Sequence, residues 1–157
     1  MKNTHYLLAF GACASLSACS STPLNMPSVD ELLRADTEQN GRACVRQNDI
    51  RGYGILDDDV ISVDARGSKR YYLITTLFQC HSLQTSFAAG FKGDFFELCG
   101  GGRDKILTSQ EACPIKSIFE FESREKAFEA FEKAELTRKQ IREQAKKDQD
   151  ADTAKDA

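Results

Sequence analysis

Six cysteines stand in this chain, and four of them, Cys44, Cys80, Cys99 and Cys113, fall between positions 44 and 113. What they do depends on where the chain folds, because thiols pair and stay paired only in an oxidising compartment. The first residues speak to that. Lys2 supplies a positive start, and an apolar stretch follows through residues 6–10, Ala12, Cys13, Ala14 and Leu16. Small residues close it at Ser17 and Ala18. This is the layout of a secretory signal peptide. The run is too short for a membrane span, which needs roughly 20 apolar residues. Residues 1–18 are therefore expected to be cleaved on export.

The segment Leu16-Ser17-Ala18-Cys19 resembles the lipobox of bacterial lipoproteins, a Leu and two small residues before a Cys. The resemblance implies a thioether-linked diacylglycerol on Cys19, cleavage just before it, and acylation of the new amino terminus by a fatty acid such as palmitate. Cys13 fits less well, because few apolar residues precede it. The bland alternative is an ordinary signal peptide cut near Ala18. Each buried methylene contributes about 0.8 kcal/mol, so one acyl chain holds weakly and two or more hold durably. Ser20, rather than Asp, follows Cys19. By resemblance to the sorting pattern of enteric bacteria, that points to the outer membrane. Residues 19–27 read as a tether.

With Cys13 removed and Cys19 lipidated, the four remaining cysteines form an even set, and two disulfides are expected. Three pairings are possible, and spacing alone does not choose among them. The favoured one is Cys80–Cys99 across a local hairpin and Cys44–Cys113 between the first and last strands. On the chain-entropy model these contribute about 3 and about 4 kcal/mol. A zinc site from Cys80, His81, Cys99 and Cys113 is the competing reading. Adjacent Cys-His is poor ligand spacing and no C-x-x-C is present, so no metal and no cofactor are expected. The formal net charge is -3, and no basic excess favours nucleic acid.

The expected fold is α+β and mainly β: a small antiparallel sheet or barrel, stapled by two disulfides and flanked by an N-terminal and a C-terminal helix. One domain spans residues 28–135. Ser28 reads as an N-cap, with Glu31 completing a capping box. A helix over residues 29–39 turns Val29, Leu32 and Leu33 inward and stops at Asn40-Gly41. Strands are expected over 44–47 and 50–56, with Gly52 and Gly54 marking a bulge or bend. Asp57-Asp58-Asp59 makes a turn into Val60, Ile61 and Val63. Residues 70–78 are the most β-prone run in the chain. Residues 80–83 read as a turn or helical corner. Residues 86–91, Lys92-Gly93-Asp94 and 95–99 read as a hairpin. A brief strand follows at Ile106-Leu107. Residues 113–121 close the set, with Ile115, Ser117, Phe119 and Phe121 on one face. Ser123 caps a second helix with Ala127, Phe128, Phe131 and Ala134 on one stripe. Residues 136–157 form a charged helical extension and a polar, disordered end.

Cys44-Val45-Arg46, Asp49-Ile50, Tyr53, Leu56-Asp57-Asp58, Tyr71-Tyr72-Leu73, Cys80, Leu83, Cys99 and Cys113-Pro114-Ile115 come in an order that resembles a family of small exported proteobacterial proteins, defined by a domain of unknown function. The resemblance covers about residues 41–126. It implies a four-cysteine, mostly β domain of the cell envelope and carries no catalytic residues.

Candidate chemistry is sparse. Asp57, Asp58, Asp59 and Asp64 lack the order of an EF-hand loop and fit a solvated turn better. His81 is the one histidine outside the leader, and nothing in the sequence gathers a nucleophile and a carboxylate around it. Gly100-Gly101-Gly102-Arg103 would cradle an anion if its amides were free, but it lacks the ending of a P-loop. Arg51, Arg66, Lys69 and Arg70 with Tyr53, Tyr71 and Tyr72 would suit a basic-aromatic surface. Three readings follow. The preferred one is a non-enzymatic, periplasm-facing lipoprotein held to the membrane by its lipid and binding a protein, glycan or lipid partner. The others are a small periplasmic hydrolase using His81, and a structural or stress-related envelope component that makes contact through its charged C-terminal helix.

Overall fold

The computed structural model describes residues 26–67 and 70–153. The expected leader, Cys19 and most of the tether lie outside the described residues, as does Lys69.

The first helix, α1 (Val29–Thr37), starts where the capping box requires. Ser28 N donates to Glu31 Oε2 at 2.8 Å, and Glu31 N donates back to Ser28 Oγ at 3.3 Å. It ends at Thr37 rather than at Gln39, because Glu38 takes the left-handed cap conformation with φ 56°. Asn40-Gly41 belongs to the following turn, in which Asn40 Oδ1 accepts from Arg42 N at 2.9 Å.

Among the described residues eight strands follow: β1 (Cys44–Arg46), β2 (Ile50–Asp57), β3 (Val60–Ala65), β4 (Tyr71–Thr76), β5 (Gly90–Lys92), β6 (Glu97–Cys99), β7 (Lys105–Leu107) and β8 (Ala112–Phe121). A one-turn helix, α2 (Ser82–Thr85), sits between β4 and β5, and α3 (Arg124–Thr153) ends the chain. Six strands make an antiparallel sheet in the order β2-β3-β4-β8-β7-β5. It curls until its two edge strands approach, with Tyr53 of β2 and Phe91 of β5 in an edge contact at 6.0 Å between ring centroids. β1 and β6 form a separate two-stranded ribbon.

The expected hairpin over residues 86–99 does not form. β5 pairs with β7, and β6 pairs with β1. Between them Phe95 (φ 53°) and Phe96 (φ 61°) are left-handed, and this lifts the chain off the sheet edge. The disulfide pairing changes with it. Cys99 lies directly opposite Cys44 and bonds to it, with Cα atoms 4.3 Å apart. Cys80 bonds to Cys113, Cα atoms 6.0 Å apart. Leu77 N donates to Pro114 O, next to Cys113, and Cys80 N donates to Asp58 O in the β2–β3 turn.

The curled sheet is apolar on both faces. Its inner core holds Ile61, Val63, Tyr72, Ile74, Ile106, Ile115 and Ile118, with Val45 and Leu98 driven in from the ribbon. Its outer core holds Val60, Leu73, Phe119 and Phe121 beneath α1 and α3. Full burial of Val29 and Leu33 contributes about 1.5–3 kcal/mol each. The stripe of α3 is made of small residues, Ala127, Ala130 and Ala134, all buried, so the helix lies close on the sheet. Strand β8 breaks its own alternation. Thr75 faces Ser117 but Thr76 faces Ile115, which leaves Lys116 as the extra residue of a bulge. Ile115 therefore joins Ile118 inside instead of standing with Phe119 and Phe121.

Among the described residues no helix is long and apolar enough to cross a membrane.

Candidate functional site

Strand β2 carries Gly52 and Gly54 on the face where α3 begins. Helix α3 packs on β4 and β8, and a groove of about 430 Å³ opens over the glycines. Tyr71 and Phe128 wall it, with ring centroids 6.1 Å apart. The Arg124 guanidinium lies over Phe128 at 5.0 Å, a cation–π placement that holds it at the rim. Asp64 lines the same groove. A second hollow of about 340 Å³ shares Asp64, Tyr71 and Arg124 and extends to Arg70, Glu122 and Ser123. Gly54 has a packing reason, since a Cβ there would come 2.9 Å from Ser62 Oγ. Gly52 has none: nothing stands within 4 Å of where its Cβ would be. A strand glycine without a steric demand leaves bare backbone that a ligand can approach. A flat floor, an aromatic wall and one charge of each sign suit binding of a polar partner with an apolar face.

A cleft of about 510 Å³ lies beside the ribbon, bordered by Arg42, Phe95, Glu97, Cys99, Gly101 and Arg103. The glycine run here is explained by backbone geometry. A Cβ on Gly100 would strike Gly41 O and lie 3.1 Å from Ile118 N. Gly101 and Gly102 have φ of 134° and 87°. Gly102 N donates to Ile115 O at 2.6 Å, so that amide is not free for an anion. Asp104 is buried and accepts from Cys99 N at 2.5 Å and Asp94 N at 3.4 Å. Phe95 and Phe96 stand out into solvent on left-handed backbone that costs roughly 1–2 kcal/mol per residue.

The other residues singled out in the sequence disperse. Asp57, Asp58 and Asp59 cluster at the β2–β3 turn, whereas Asp64 pairs with Gly52 toward the other end of the hairpin. Asp57 meets Arg138 Nη1 at 3.4 Å. Burial raises the Asp59 carboxyl above its ordinary range, and Asp57 adds to the rise. His81 is exposed, with Nδ1 3.9 Å from Asp58 Oδ2. The adjacent hydroxyl of Ser82 is buried instead, 2.8 Å from Thr108 Oγ1. No nucleophile–base–acid relay is assembled there. The zinc set is divided, because Cys99 pairs with Cys44 and Cys80 with Cys113. The basic-aromatic surface also splits. Tyr53 and Tyr72 belong to the inner core, Tyr71 to the outer, and Arg70 Nε binds Glu120 Oε1 at 2.9 Å.

One cluster escaped the sequence reading. Asp30 is buried under α1 and receives Arg34 Nε at 3.0 Å, Lys116 Nζ at 3.2 Å and Thr75 Oγ1 at 3.1 Å. Burial pushes its carboxyl upward, but hydrogen bonds from Ser117, Arg34 and Lys116 outweigh this and hold it below the ordinary value. The i,i+4 spacing of Asp30 and Arg34 was the only trace of it in the sequence. It ties helix to sheet and lines neither the groove nor the cleft described above.

Fold and site together define a class: a curled antiparallel sheet with two disulfides, helices on its outer face and an open groove beside the start of the last helix. The family described as a family of unknown function (DUF6491) matches residues 1–149, and the chain belongs to it. No curated protein and no solved structure matches significantly.

Proposed function

We propose that this protein is a lipid-anchored component of the bacterial envelope, held in the outer membrane through Cys19. In this reading its stapled domain faces the periplasm and binds a protein, glycan or lipid partner without catalysis. The observation that carries it is the pairing of all four cysteines downstream of Cys19 into two disulfides, a state that forms and persists in an oxidising compartment. The lipobox-like Leu16-Ser17-Ala18-Cys19 supports the anchor. The groove over Gly52 and Gly54 supports the binding role, since it offers ring faces and fixed charges but no activated nucleophile.

Mass spectrometry of the protein recovered from cell membranes tests the anchor. The expected N-terminal peptide begins at an acylated Cys19, and Cys19→Ala releases the domain from the membrane fraction. An intact, unacylated N-terminus would refute the anchor. Crosslinking in intact cells tests the groove: a specific adduct should form and disappear in Tyr71→Ala and Arg124→Ala proteins. An adduct indifferent to both changes would remove the groove from the account.

A further inference from the structure

The two disulfides live in unlike surroundings. Cys80 and Cys113 are 1% and 3% exposed and belong to the inner core. Cys44 is exposed and Cys99 half-buried, and Cys99 forms part of the wall of the 510 Å³ cleft. An exchanging thiolate needs access to a sulfur, and only the second pair grants it without opening the core. We propose that Cys44–Cys99 is a thiol-exchange site, reduced by an external dithiol while Cys80–Cys113 stays intact.

The ribbon is built to survive the break. Val45 and Leu98, the pair next to the disulfide, are 2% and 0% exposed. Ala43 N donates to Ile118 O at 3.1 Å, and Ile118 N donates to Gly41 O at 2.9 Å. Cys99 N is held by Asp104. Both strands stay anchored to the inner core or to β8 when the sulfur bond is gone, so the thiols remain opposed and can re-form it. Exposure gives the exchange a direction. The Glu97 carboxylate lies near both sulfurs, so its charge does not choose between them, but Cys44 is exposed and Cys99 half-buried. The dithiol's thiolate attacks Cys44 Sγ, forming a mixed disulfide. The Cys44–Cys99 bond breaks, and its electron pair leaves on Cys99 Sγ, which takes up a proton. The second thiolate of the dithiol then attacks its own sulfur in the mixed disulfide and displaces Cys44, which is protonated in turn. The protein gains two electrons and two protons, and the dithiol becomes a disulfide. The proposal stands apart from the lipid anchor and the groove, and its test touches neither.

The oxidised, folded chain is treated with limiting dithiothreitol, quenched with acid at intervals, alkylated and mapped by mass spectrometry. A species alkylated at Cys44 and Cys99 only is expected to appear at least roughly tenfold faster than any modified at Cys80 or Cys113, with the far-ultraviolet circular dichroism unchanged. With glutathione in place of the dithiol, the trapped adduct is expected on Cys44. Reduction of both disulfides together, prior reduction of Cys80–Cys113, or adducts chiefly on Cys99 would each overturn the proposal.

Discussion

Two glycines show how differently the same residue type is used. Gly100 sits where backbone crosses backbone: a Cβ would overlap Gly41 O and press on Ile118 N, neither of which can swing aside. Gly100→Ala is expected to cost about 1–3 kcal/mol, the range for overpacking a closed site. Gly52 has open space around it and no left-handed φ. Gly52→Ala should be neutral or stabilise by up to about 1 kcal/mol, because it narrows the unfolded ensemble. Urea unfolding of the two variants measures both; equal effects would show that the crossing at Gly41 is not as tight as described. A sequence shows both as glycines in β-rich stretches. It does not show that residue 100 has a carbonyl from residue 41 against its Cα, since that contact exists only once the ribbon is laid over β8.

At the scale of elements, legibility followed the range of the interactions. α1 was readable because its start is written locally, in Ser28 and Glu31, and β4 because Tyr71–Thr76 is aromatic or β-branched at every position but Leu73. The turn at Asp58-Asp59 is local as well. The segment from Ser86 to Cys99 was misread because its runs suit either a hairpin or two strands with distant partners. Left-handed Phe95 and Phe96, which decide the matter, carry no glycine to announce them. The last helix divides in the same way. Its alanine stripe is buried up to Ala134, whereas Leu136 is 60% exposed and residues 146–151 face solvent. Removing residues 146–157 is expected to shift stability by no more than about 0.5 kcal/mol, as for surface changes generally. Ala127→Leu should cost about 1–3 kcal/mol by prising the helix from β4 and β8. Thermal unfolding of the truncated and substituted proteins distinguishes the two ends; a large loss on truncation would mean the distal helix has a packing role.

For the molecule as a whole, one buried carboxylate and one half-buried one give stability opposite dependences on pH. The Asp30 carboxyl is lowered in the folded state, so its contribution is present above its unfolded pKa of about 3.9 and lost as pH falls through the lower folded value. The Asp59 carboxyl is raised. Its contribution is present below about pH 3.9 and lost as pH rises through the folded value, so it opposes folding at neutral pH. Asp59→Asn should therefore raise the melting temperature near pH 7 and give little gain near pH 3. Asp30→Asn should cost about 1–3 kcal/mol near pH 7, where it leaves Arg34 and Lys116 facing a neutral amide, and less as the solution is acidified. Melting curves across that range would contradict the assignment if Asp59→Asn gained nothing at pH 7.

The groove was the least legible part of the protein. Gly52, Tyr71, Arg124 and Phe128 come from three elements, and no spacing in the chain links them. Local chemistry along the chain was enough for the cap of α1, the β character of the middle, the amphipathic start of α3 and an even set of four cysteines. Which cysteines pair, which strand lies beside which, and where bare backbone is left open were settled only in three dimensions. These follow from contacts between residues far apart in the chain, and many sequences of the same local pattern would satisfy those contacts differently.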